Sequence, residues 1–111
     1  MNINFKKEKN TLFVDFNGEL DHHNAKNVRE RIDSYYNEEG FKNIVINLEG
    51  LNFMDSSGIG LVMGRYKLVN QIGGKLFLTN VNSRVRKILN MSGVNKIVKI
   101  YEDEKEVYKE L

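Results

Sequence analysis

Cysteine and proline do not occur in this chain, and its longest uncharged stretch runs only from Ser56 to Gly64. Without Cys there is no disulfide scaffold, no thiolate zinc site and no thiol redox chemistry, and a reducing compartment, the cytoplasm, is the expectation. The uncharged stretch is far short of the roughly 18 apolar residues of a membrane helix. The amino-terminal MNINFKKEKN lacks the apolar core of a signal peptide, so neither membrane insertion nor export by that route is expected. No internal repeat or low-complexity segment is visible, and no HExxH, EF-hand or P-loop pattern occurs. Metal ligation is therefore not expected. Net charge is only +2, but the stretch from Ser56 to Tyr101 holds 8 Lys or Arg and no Asp or Glu. No aromatic-basic motif of a nucleic-acid reader accompanies those cations, and nucleic acid is not among the expected partners.

What is present suits one folded unit. The chain has 111 residues, 41% of them apolar, with 9 Gly besides. That is the composition of an ordinary globular domain, large enough to bury a core unaided, and a single domain over 1–111 is expected. Ile3 and Phe5, then Leu12, Val14 and Phe16, alternate with their neighbours as an opening hairpin. Ala25, Val28, Ile32, Tyr35 and Tyr36 draw a helical stripe ending near Gly40. The β-branched run Asn43–Leu48 suits a central strand buried on both faces, and Glu49–Met54 is read as a loop. Ile59, Val62, Met63, Tyr66, Val69 and Ile72 form a second stripe, stopped by Gly73 and Gly74. A strand at Leu76–Leu78, a helix through Val85, Ile88 and Leu89, a strand at Ile97–Ile100 and a charged helix at Asp103–Leu111 complete the chain. The order ββαβαβαβα predicts an α/β fold with a mixed, mostly parallel sheet and an antiparallel first hairpin.

The most informative segment is FMDSSGIG, Phe53 to Gly60, which feeds the second helix from the end of the central strand. In open α/β sheets, ligands and partners meet the protein at the carboxyl ends of strands. Asp55 suits a helix cap, which places Ser56 and Ser57 in the first turn. A phosphate on a hydroxyl there would lie against the positive end of the helix dipole and the first-turn amides, adding about −1.5 to −2 charges without disturbing the fold. Gly58, Gly60 and Gly64 cost helix stability, about 1 kcal/mol each relative to Ala, so a steric reason for them is expected, such as close approach of another backbone. Two readings stay open at this point: a plain helix cap, or a cap that also carries a regulated hydroxyl.

Rival chemistries fit these residues poorly. Gly58, Gly60 and Gly64 miss the G-x-G-x-x-G spacing by one residue, and no acidic residue follows a strand at the required distance. G-x-S-x-G is absent, because Asp55 precedes Ser57 where the first Gly would stand. Only His22 and His23 could act as a base, and adjacent histidines cannot both face one nucleophile.

GELDHHNA at Gly18–Ala25, INLEGLNFMDSSGIGLVMGRYK at Ile46–Lys67, QIGGKL at Gln71–Leu76 and MSGVNKI at Met91–Ile97 carry a resemblance over essentially the whole chain. The chain resembles the STAS-domain anti-sigma factor antagonists, and among them the sporulation branch that acts on the anti-sigma F factor. The resemblance implies a transcription regulator in the cytoplasm, a binding protein with no cofactor and no catalysis of its own. It implies partner switching. The unmodified protein would bind an anti-sigma factor that is also a serine kinase, releasing the sigma factor, and phosphorylation would end the association until a serine phosphatase reversed it. By the same resemblance the acceptor is Ser56, with Ser57 as fallback, and Asp21, His22, His23, Asp55, Ser57, Gly58 and Gly60 border the docking surface. Arg65 and Lys67 are expected on the helix flank, either pairing with partner carboxylates or merely solvated. The free protein is expected to be a monomer. A nucleotide-binding domain of similar outline and a structural subunit of a larger STAS assembly are the alternatives, separable by nucleotide titration and by sizing.

Overall fold

Leu12, Val14 and Phe16 of strand β2 (Thr11–Leu20) turn to one face and Phe13 to the other, and all are buried. A strand covered on both faces belongs inside a sheet. The structure, a computed structural model describing residues 1–111, places it there. Strand β1 (Asn2–Glu8) pairs antiparallel with β2, Phe5 opposite Val14, and forms an edge. Strands β3 (Asn43–Met54), β4 (Leu76–Thr79) and β5 (Lys99–Tyr101) follow in parallel, so the 5-stranded sheet runs in chain order from β1 to β5. The element order is the expected ββαβαβαβα, with one short 3₁₀ turn at Val94–Lys96.

Each parallel crossover steps the same way along the sheet, and because such connections are right-handed as a rule, the intervening helices gather on one face. Helices α1 (Ala25–Glu39), α2 (Ser56–Asn70) and α3 (Ser83–Ser92) bury Val28, Ile32, Leu61, Val62, Val69, Val85 and Leu89. They pack on Leu12, Val14, Ile44, Ile46 and Leu78 of the strands. The opposite face carries a smaller cluster of Phe13, Val45 and Phe77, on which the short helix α4 (Glu104–Tyr108) lays Val107. Polar contacts fasten α4 there: Glu104 meets Lys6 at 3.3 Å and accepts from Asn47 at 3.1 Å. The Tyr108 hydroxyl donates to Glu8 at 2.6 Å, which pushes its pKa up to about 12. No helix is long and apolar enough to cross a membrane.

Four boundaries differ from the sequence reading. Helix α2 stops at Asn70, so Ile72, expected on its apolar stripe, lies beyond it in a turn and is 58% exposed. Glu49–Met54 is strand, not loop: β3 continues beside β2, Gly50 opposite Asn17 and Phe53 opposite Glu19, across two register shifts. Such irregularities break the alternation by which a strand is recognised. Ile97 is not in β5, which begins at Lys99; it follows the 3₁₀ turn and is 49% exposed. Finally, α4 begins after Asp103, whose side chain caps it by accepting from the Glu106 amide.

Candidate functional site

Strands β2 and β3 finish together, with Leu20 opposite Met54, so the loops leaving them toward α1 and α2 emerge side by side. Asp55 joins the two loops. Its amide donates to the Leu20 carbonyl at 3.2 Å. Its carboxylate accepts the Ser57 amide at 2.8 Å through Oδ1 and the His22 amide at 3.2 Å through Oδ2. The expected cap of α2 is thus present, and it reaches across to the β2–α1 loop as well. Partial desolvation is the largest single influence on the Asp55 carboxyl and raises it. The amides of Ser57, His22 and Gly58 and the Ser57 hydroxyl together prevail, holding it below the ordinary carboxylate range.

The neighbouring turn is built by Asp21. Its side chain accepts from the amides of His23 at 2.9 Å and Asn24 at 3.3 Å, while the Asn24 side chain donates to the Glu19 carbonyl at 2.8 Å. The structure therefore gives the partly buried Asp21 carboxylate the work of shaping the entry to α1. His22 and His23 are exposed, their ring centroids 4.0 Å apart and the planes tilted by 38°, and His22 Nδ1 lies 3.7 Å from Asp55 Oδ2.

Ser56, the first residue of α2, is exposed, and Ser57 is half-buried. The supply of first-turn amides is smaller than the sequence suggests. The Ser57 amide is held by the Asp55 side chain, and those of Gly58 and Ile59 donate to the Asp55 carbonyl at 3.0 and 3.3 Å. A group attached to Ser56 thus meets a first turn largely satisfied already, next to a carboxylate.

The glycines of α2 divide into two kinds. A Cβ at Gly58 would stand 2.9 Å from Met54 Cβ and 3.2 Å from Leu20 Cδ2, so the helix start packs too closely on the strand ends for a side chain. A Cβ at Gly60 or Gly64 would meet nothing within 4 Å, so the expected steric reason does not lie inside the molecule at those two positions.

Arg65 requires a correction. It was expected on an outer flank but is buried, with Nε 2.9 Å from Asp33 Oδ1 of α1. The contact is an ion pair too poorly aligned for a hydrogen bond, and Nη1 has no partner. Burial pushes the Asp33 carboxyl up and the Arg65 guanidinium down, each against the attraction of the other. This guanidinium is turned to α1 and does not present itself to a partner's carboxylate. Lys67 does lie on the exposed flank.

The structure thus brings Asp21, His22, His23, Asp55, Ser56, Ser57, Gly58 and Gly60 to one end of the sheet and leaves Arg65 out. It adds residues that were not singled out. A groove of about 400 Å³ between α1 and α2 is lined by His22, Lys26, Arg29, Ser57, Gly60 and Leu61 among others. Phe53, 41% exposed, stands at the same end. Lys26 and Arg29, three residues apart in the first turns of α1, share one face of that helix. No group of three or more His, Cys, Asp or Glu is placed to hold a metal ion.

Comparison with known proteins places the chain in a family. The family model described as the STAS domain matches residues 2–107. An anti-sigma F factor antagonist of Paenibacillus polymyxa is 41% identical over 111 residues, covering 100% of this chain and 95% of that one. Among solved structures, the anti-sigma factor antagonist SpoIIAA in its unphosphorylated form superimposes with a TM-score of 0.77 at 28% identity, covering 98% of this chain and 96% of that one. The Bacillus cell fate determinant SpoIIAA in its phosphorylated form gives 0.76 at 29% identity, covering 99% and 100%.

Proposed function

This chain belongs to the STAS-domain family, and from that premise we propose that it is an anti-sigma factor antagonist switched off by phosphorylation of Ser56. The observation that carries the proposal is the exposed Ser56 hydroxyl at the start of α2, beside a carboxylate already fixed by two loops. In its unmodified form the protein binds an anti-sigma factor, itself a serine kinase, and so frees a sigma factor. The similarity to antagonists of the anti-sigma F factor supports a role in sporulation. That SpoIIAA is known in phosphorylated and unphosphorylated forms supports a switch of this kind. The free protein acts as a monomer in the cytoplasm.

Three features suit the end of the sheet to protein contact. Phe53 offers an exposed ring, Gly60 and Gly64 leave the outer surface of α2 open to close approach, and His22 and His23 border the loop. A phosphate on Ser56 adds about −1.5 to −2 charges. The first-turn amides of Ser57, Gly58 and Ile59 are engaged and Asp55 is anionic, so much of that charge faces outward, where docking would have to desolvate it. The fold survives because no core group is disturbed. Release from the kinase follows, and a serine phosphatase resets the protein.

Incubation with the cognate kinase and ATP, followed by mass mapping of the peptide spanning Ser56 and Ser57, tests the assignment. Phosphate on Ser56, absent from the Ser56→Ala variant, is expected. Phosphate on Ser57 alone would move the switch by one residue, and normal incorporation into Ser56→Ala would remove the proposal.

A further inference from the structure

At the other end of the sheet, where the parallel strands begin, a second cavity of about 510 Å³ is lined by Lys9, Asn10, Lys42, Asn43 and Lys75 among others. The lysines come from three connections: the β1–β2 turn, the α1–β3 loop and the α2–β4 loop. These connections are tied together through their backbones. The amides of Lys42 and Asn43 donate to the Asn10 carbonyl at 2.8 and 3.2 Å, and the Ile44 amide to the Lys75 carbonyl at 3.0 Å. The buried Asn43 side chain accepts the Lys75 amide at 2.9 Å and donates to Thr11 at 3.2 Å. The Tyr36 hydroxyl donates to the Lys42 carbonyl at 2.7 Å. Gly74 sits so close to that carbonyl that a Cβ would fall 1.9 Å from it. Lys42 and Lys75 therefore spring from fixed roots, and Lys9 directly precedes the tied Asn10.

None of the three ammonium groups takes part in an ion pair. The only acidic side chain on the rim, Glu110, is 3.3 Å from Lys99 and answers that charge instead. Three lysines around one concavity, none of them in an ion pair, outnumber the acidic groups at its rim, and an anion of several charges can pair with them together. Leu111 is the single apolar residue of the lining, so the cavity offers no aromatic surface on which a base could stack. Nothing at this end depends on Ser56, which lies at the opposite ends of the same strands.

We propose that this cavity binds a small oligophosphate through Lys9, Lys42 and Lys75. Calorimetric titration of the full chain with sodium tripolyphosphate, and separately with ATP, tests it. Saturable tripolyphosphate binding is expected, with ATP no tighter. The combined variant Lys9→Gln, Lys42→Gln, Lys75→Gln should bind at least about tenfold more weakly. A control of equal charge change, Lys87→Gln, Lys105→Gln, Lys109→Gln, should stay within about twofold of the parent. Absence of saturable tripolyphosphate binding, equal loss in both variants, or binding of ATP while tripolyphosphate stays silent would overturn the proposal. Should the triple variant unfold, amide shifts of the unaltered chain under tripolyphosphate decide: perturbation at Lys9–Asn10, Lys42–Asn43 and Gly73–Lys75 supports the site, and perturbation confined elsewhere refutes it.

Discussion

Gly58 is confined by Met54 and Leu20, while Gly60 and Gly64 have open space where a side chain would go. Replacement by alanine should therefore split them. Gly58→Ala should lower unfolding free energy by about 1–3 kcal/mol, because the strand ends must move to admit the methyl group. Gly60→Ala and Gly64→Ala should each raise it by up to about 1 kcal/mol, because helix propensity improves and nothing is displaced. Urea denaturation of the three variants reads the difference, and destabilisation at Gly60 would contradict the open geometry. If the outer surface of α2 is also the docking surface, Gly60→Ala should bind the anti-sigma factor less well although it is the more stable protein. Residue types alone did not separate these glycines. The inward position of Arg65 was not read: the stripe taken from the sequence ran through Ile59, Val62, Met63, Tyr66 and Val69, whereas the buried face of α2 passes through Leu61, Arg65 and Val69. Its charge suggested the surface, and what could not be read was the carboxylate of Asp33 waiting on α1 to receive it.

At the scale of elements, α4 covers Phe13, Val45 and Phe77, with Tyr101 of β5 beside it. Five residues make a helix too short to stand by itself, so its place depends on Val107 and on the polar contacts of Glu104 and Tyr108. Val107→Ala should cost about 1–2 kcal/mol through lost burial and the gap left behind. Hydrogen exchange should then quicken in α4 and β5 well before β2 and β3, and uniform acceleration would count against a separately anchored element. The strand and helix order was readable because periodicity switches cleanly between two and about 3.6 along the chain. The far half of β3 was not. Glu49, Gly50 and Asn52 interrupt its apolar pattern, and the register shifts opposite Asn17 and Glu19 depend on a strand distant in sequence. Ile97 and Val98 misled in the opposite sense, being apolar neighbours of a strand that belong to the turn before it. The Asp55–Gly60 part of the candidate site was legible because it is one continuous segment, whereas Asp21, His22 and His23 come from a second, the loop after β2. His22 entered the groove beside Ser57 only through the pairing of β2 with β3.

For the whole molecule, acid groups on the α4 side of the sheet set a pH dependence of stability. Burial raises the Asp15 carboxyl above its ordinary value, and Glu104 and Glu49 reinforce the shift against the opposing charge of Lys6. A carboxyl whose pKa is higher folded than unfolded holds its proton more tightly in the native state. Stability from this group is greatest below the unfolded value of 3.8 and is lost as pH rises through the folded value. Asp15→Asn should accordingly raise the thermal midpoint at neutral pH, with the gain shrinking through the carboxylate range and gone below it. A gain that persisted unchanged at the acid end would contradict this origin.

On the proposed reading, the end of the sheet that carries Ser56 faces the partner, and the switch rests on that one hydroxyl. Its most direct test is a binding titration of the purified anti-sigma factor with the unmodified chain and with the chain phosphorylated at Ser56, both shown to be folded. The unmodified form should bind saturably and the phosphorylated form at least about a hundredfold more weakly, a difference of roughly 2.7 kcal/mol. Equal affinity of the two folded forms would contradict the switch.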